Sequence, residues 1–146
     1  MSRYDELAEA TRLLLEQELD AHRRNLEQSR RIDGELAQLD AMRKAAQSDP
    51  GAITARQILG ADTLWQGWLA RKRQETLRQA ARARAQELMT LDRARLAFSR
   101  TEAAETIRRE AKMEAIRKSR TREADAIEAL GQLRIAMRRA EEGDDA

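Results

Sequence analysis

Apolar residues recur along this chain at helical spacing, and two long segments carry the pattern. In the first, Leu15, Leu19, His22 and Leu26 follow 4-3-4 spacing and Ile32, Leu36 and Leu39 follow 4-3 spacing. Such spacing places side chains on one face of a helix. The two runs are six residues out of step with a strict heptad, so a seam along this helix has to shift between them. In the second segment Leu77, Ala81, Arg84, Leu88, Leu91, Arg95 and Phe98 follow 4-3-4-3-4-3 spacing. Arginine at a seam position packs its stem and keeps its head in water. Beyond Phe98 the apolar signal thins to Ile107, Met113, Ile116, Ile127, Leu130, Leu133, Ile135 and Met137.

Breakers divide the chain. The one proline lies in Ser48-Asp49-Pro50-Gly51, which is strong turn chemistry. Between Trp68 and Leu130 there is neither proline nor glycine over 63 residues. Ala, Arg, Glu, Leu and Gln dominate that stretch, all strong helix formers. It would extend roughly 95 Å as one helix, too long for the inside of a compact domain. The reading is therefore one all-α domain over 1–146. Helix 1 covers about 3–47, a connector 48–62, helix 2 about 63–140 and an acidic tail 141–146. Within the connector, 53–59 is expected to make one or two helical turns that stop at Gly60. Asp62 is the expected N-cap of helix 2. Gly131 marks a bend or an end, and the tail is expected to fray. Folded at the turn, the chain makes an elongated antiparallel two-helix coiled-coil hairpin with a longer second helix. Helix 1 then reaches to about residue 108, and 109–140 overhangs without a partner in the chain.

Composition agrees with a narrow seam. Aromatics are 3% of the chain and charged residues 37%, too few large apolar side chains for a globular core. The same charge content also describes a disordered chain, but the Ala- and Leu-rich stretch without breakers argues against that. There is no cysteine, which excludes disulfides and thiolate chemistry. The opening residues show no secretory signal, and Leu13-Leu14-Leu15 is far short of a membrane span. The net charge of +2 is unevenly spread: residues 69–122 carry 16 basic and 7 acidic side chains, whereas 123–146 carry 3 and 7. A basic stretch of this kind attracts acidic partners, or is simply a solvated face.

Little in the chain points to catalysis. His22 is the single histidine and lies on the apolar stripe, where packing explains it. No clustered metal ligands are present, and the scattered glycines match no phosphate-binding loop. Carboxylates such as Glu102, Glu105, Glu110 and Glu114 sit at helical spacing from Arg and Lys and read as ion pairs. A rod offers no concave, water-excluding pocket. The chain reads as a non-enzyme with no cofactor. Nucleic acid is not an expected partner, because the basic stretch has only Phe98 as an aromatic and no leucine zipper follows it. The most specific signal is the bulky cluster at Leu64, Trp65, Trp68 and Leu69. It serves either as the plug of the closed end or as a docking patch.

These features resemble the FliJ family, the small coiled-coil proteins of the bacterial flagellar type III export apparatus. The connector Ile53-Thr54-Ala55-Arg56-Gln57-Ile58 is similar to that family's linker, and Trp65 and Leu69 match its aromatic followed four residues later by Leu. Arg95-Leu96-Ala97, the run from Glu102 to Glu110, and Arg122 through Glu128 resemble its later charged motifs. The resemblance implies a cytoplasmic stalk that enters the ring of an export ATPase like FliI. It implies contact with the cytoplasmic domain of a gate protein like FlhA and with export chaperones, and peripheral membrane association through those partners. By the same resemblance Trp65 and Leu69 would face the gate, and Trp68, from the same bulky cluster, is the third candidate for that contact. Arg117, Lys118, Arg120, Arg122, Ile127 and Leu130 would face the ATPase ring. Lys72 and Thr76 depart from the family's pattern at the next two positions of the gate-facing face. Two alternatives remain open: a generic coiled-coil scaffold, which predicts self-association through 109–140, or the equivalent stalk of a virulence secretion system.

Overall fold

In a computed structural model the described residues form two long helices, α1 over Arg3–Gln47 and α2 over Ala61–Asp144. The structure describes residues 2–48, 51 and 60–145. Among them there is no strand, and no helix is long and apolar enough to cross a membrane. Helix α1 starts with a capping box. The Ser2 hydroxyl accepts from the Asp5 backbone N–H at 3.2 Å, and the Asp5 carboxylate accepts from the Ser2 N–H at 3.1 Å. Its end at Gln47 is followed by Ser48, whose hydroxyl donates to the Ala45 carbonyl at 3.0 Å. The expected Asp49-Pro50 turn and the connector turns at 53–59 lie outside the described residues. Gly60 has φ +72°, a left-handed conformation that favours glycine immediately before α2. Asp62, the expected N-cap, lies in the first turn of α2, where its charge favours the helix dipole.

The chain divides into two compact units. In the unit Thr11–Arg100 the helices pair antiparallel. Asp40 meets Arg73, Asp33 meets Arg84, Ser29 meets Glu87 and Asn25 meets Thr90, so one number rises as the other falls. Along α1 the inward positions include Leu15, Glu18, His22, Asn25, Ser29, Ile32, Leu36 and Leu39. These form one unbroken heptad, so the expected shift of the seam does not occur. The polar residues Asn25 and Ser29 occupy inward positions that an apolar reading leaves blank.

On α2 the inward ladder is Leu69, Arg73, Thr76, Ala80, Ala83, Glu87, Thr90, Ala94 and Ala97. It keeps the expected 4-3 rhythm but lies one residue before the expected seam. Leu88 is 64% exposed and Phe98 55% exposed, flanking the seam rather than filling it. The physical reason is size. Ala80 and Ala83 form a buried cluster with Ile32, a knob in a hole that leucine would overfill.

The second unit comprises Met1–Ala10 with Thr101–Ala146. Its buried residues are Ala8, Thr101 and Ala104. Arg108 binds Asp5 at 3.5 Å and Glu105 at 3.1 Å. Ala111 is the last partly buried residue, and every residue from 112 to 145 is exposed. Helix α2 continues through Gly131 and past the expected boundary at 140 to Asp144. Gly131 does not end it, because strong helix formers on both sides outweigh one glycine.

Two outcomes follow. Ala83→Leu should overpack the seam and cost about 1–3 kcal/mol in chemical denaturation. Leu88→Ala should cost less than about 0.5 kcal/mol, and the reverse ranking would restore the sequence-based register. The Ser2 backbone N–H and hydroxyl, and then Arg108, hold the Asp5 carboxyl below its ordinary value of 3.8. A lowered carboxyl stabilises the fold above the ordinary value, and that contribution is lost as pH falls through the lowered one. The protection of first-turn amides of α1, taken relative to intrinsic exchange at the same pH, should therefore fall on acidification below pH 3.8, and Asp5→Asn should abolish that dependence.

Candidate functional site

Three places could carry recognition. The first is a groove of about 530 Å³ between the end of α1 and the start of α2. The groove is concave and open to solvent. Arg43 and Ala46 line it from α1, and Asp62, Trp65, Leu69 and Arg73 line it from α2. Leu69 is only 5% exposed and belongs to the seam. Trp65 is half-buried on the groove wall, and Trp68 is 45% exposed on the neighbouring face. The cluster is thus split: Leu69 plugs, while Trp68 and the exposed Leu64 offer surface. Asp62 is buried and accepts a hydrogen bond from Gln66 Nε2 at 3.1 Å. Arg73 reaches Asp40 at 2.9 Å and ties the two helices together beside the groove. Arg43, Arg73 and Asp62 give the groove charged edges of both signs that the apolar pattern did not reveal.

The second place is a polar layer at mid-seam. Thr90 donates its hydroxyl proton to backbone carbonyls of its own helix, Gln86 and Glu87, each at 3.1 Å. Its oxygen is then left to accept. Asn25 Nδ2 donates to it at 3.2 Å, and His22 Nδ1 lies 2.9 Å away. The direction of the His22 contact is set by the ring tautomer. The Asn25 amide also reaches the Gln86 carbonyl at 3.3 Å, and Ser29 donates to Glu87 at 2.8 Å. No buried side-chain polar atom among the described residues lacks a partner. His22 is therefore engaged across the seam through Thr90. Among the described residues no three His, Cys, Asp or Glu side chains gather as a metal site.

The third place is the exposed segment 112–145. Arg117 pairs with Glu114 at 3.9 Å, an i,i+3 contact of the kind that Arg108 also makes with Glu105. Lys118, Arg120 and Arg122 are exposed, Ile127 is 71% exposed and Leu130 66% exposed. The structure brings these six residues onto one helix in one unit. Trp65, Trp68 and Leu69 belong to the other. The sequence pattern missed Asn25, Ser29 and Thr90. The signal for Asn25 and Ser29 was heptad spacing from Ile32 and Leu15, and for Thr90 heptad spacing from Leu69, Thr76 and Ala83, which apolar counting discards.

No family model, curated protein or solved structure matches the chain.

Thr90→Val should leave the His22 ring nitrogen and the Asn25 amide facing a methyl group. The expected cost in chemical denaturation is about 1–3 kcal/mol. A neutral outcome would mean that water replaces the hydroxyl and that the layer contributes no stability.

Proposed function

We propose that this chain is a non-catalytic stalk of a type III export apparatus of the flagellar kind. One observation supports the reading above the others: α2 is a single helix of 84 residues, and every residue of the segment 112–145 is exposed, with no covering partner among the described residues. A helix held in a pair at one part and bare at another suits a protein that is anchored by the first and inserted by the second. The resemblance of its motifs to the FliJ family points to the ring of an export ATPase as the receptor of the bare segment. The basic run Arg117, Lys118, Arg120 and Arg122, followed by acidic residues, suits a pore lined with charges of both signs. The Trp68 and Leu64 surface, with Trp65 on the adjacent groove wall, is the docking face for the gate protein. Leu69 supports that face from beneath. A protein of this kind works in the cytoplasm and reaches the membrane through its partners.

The purified chain should stimulate hydrolysis by its cognate export ATPase. The triple variant Arg117→Glu, Lys118→Glu, Arg122→Glu should reduce that stimulation by about tenfold while circular dichroism shows unchanged helicity. Trp68→Ala should weaken gate binding and leave ATPase stimulation intact. An ATPase indifferent to the chain at every salt concentration would sink the reading.

A further inference from the structure

The apolar residues of the bare segment are not randomly placed. Met113, Ile116, Arg120, Glu123, Ile127, Leu130, Arg134 and Met137 repeat at 3-4-3-4-3-4-3 spacing, an uninterrupted heptad stripe. All eight are exposed. At 100° per residue this stripe lies on average roughly 110° around α2 from Ala104, Arg108 and Ala111, the face that the first turns of α1 occupy. It is a second, independent coiled-coil face.

That face is complementary to itself in one register. Antiparallel pairing of two copies about a two-fold axis between Thr121 and Arg122 sets Met113 opposite Leu130, Ile116 opposite Ile127 and Arg120 opposite Glu123, each contact occurring twice. Every inner layer is then apolar on apolar or cation on anion. The outer layers set Met137 over Thr106 and Arg109 beside Arg134, where both guanidinium heads reach water. A slip of one heptad in either direction sets Arg120 against Leu130 or Ile116, which leaves a charge facing an apolar side chain. Parallel pairing sets Arg120 on Arg120 and Glu123 on Glu123. The flanking charges agree. Residues 109–121 carry 5 basic and 2 acidic side chains, and 122–134 carry 2 and 3, so antiparallel pairing sets net +3 against net −1.

We infer that the segment 109–134 is a homodimerisation element in which two copies of this chain pair antiparallel about residues 121 and 122. The paired length is between three and four heptads with few large apolar layers, so the dimer is weak and reversible. The inference stands whether or not the chain serves an ATPase. If it does, pairing and insertion into a ring use the same stripe and exclude each other, and the dimer is the unengaged form.

Sedimentation equilibrium of the full chain should show the 16.7 kDa monomer giving way to dimer as concentration rises to high micromolar. Arg120→Glu and Glu123→Arg should each raise the dimer dissociation constant by at least about tenfold, because each sets like charges in both central layers. An equimolar mixture of the two variants restores opposite charges in both layers and should recover association. The double variant should recover it as well. The chain lacks cysteine, so spin labels can be attached at single introduced thiols. Labels on Thr121→Cys should lie close together across the axis, and labels on Ala136→Cys roughly 44 Å apart along it. A monomer at all accessible concentrations overturns the inference. So does a dimer that the single charge variants leave unchanged, or one with short distances at both labelled positions.

Discussion

Small side chains at regular intervals along α2 are the constraint on which the rest of the structure depends. Thr76, Ala80, Ala83, Thr90, Ala94 and Ala97 turn inward where a leucine zipper would place leucines. A seam of alanine and threonine buries little apolar area per layer, so its stability depends on close approach and on many layers. Ile32 between Ala80 and Ala83 shows the arrangement: one large residue on α1 fills the space that two small ones on α2 leave. The same smallness makes the seam sensitive to added volume and indifferent to the flanking leucines.

That constraint explains what the sequence disclosed and what it concealed. Two long helices, the break between them and the unequal lengths were legible from breakers and helix formers. The 4-3 rhythm of α2 was legible too, but its phase was off by one residue. Leu77, Leu88 and Phe98 carry the strongest hydrophobic signal, so a count of apolar mass selects their stripe. The chain packs by fit rather than mass and selects Thr76, Glu87 and Ala97, one position earlier. On α1 the error had the opposite form. Leu19 and Leu26 drew attention away from Asn25 and Ser29, and a continuous heptad looked like two broken ones. The tryptophan cluster was legible as a feature, but its division into a buried Leu69 and an exposed Trp68 required the register of the seam.

The polar layer around Thr90 has a different role from the alanines. Hydrogen bonds between neutral groups contribute modestly to net stability, yet a mismatched layer leaves donors unsatisfied at a larger cost. His22, Asn25 and Ser29 from one helix therefore penalise slips of register against Gln86, Glu87 and Thr90 from the other. An alanine seam has little preference of its own between neighbouring registers, since one alanine resembles the next. The polar layer supplies that preference, as a single buried polar residue does in designed coiled coils.

The bare segment poses the remaining physical question, which is why it is helical at all. Nucleation is the costly step of helix formation, and propagation adds one hydrogen bond for each residue fixed. The part of α2 before residue 112 is already helical through its packing, so the exposed part extends an existing helix and needs no nucleus of its own. Alanine, arginine and glutamate favour propagation, and pairs such as Glu114 with Arg117 add small local increments. Helicity at 112–145 is thus maintained from one side, by propensity rather than by burial. The surface of this segment is consequently free of the demands of a core. Its composition can answer to a partner, which is where a second apolar stripe with matched charges acquires meaning.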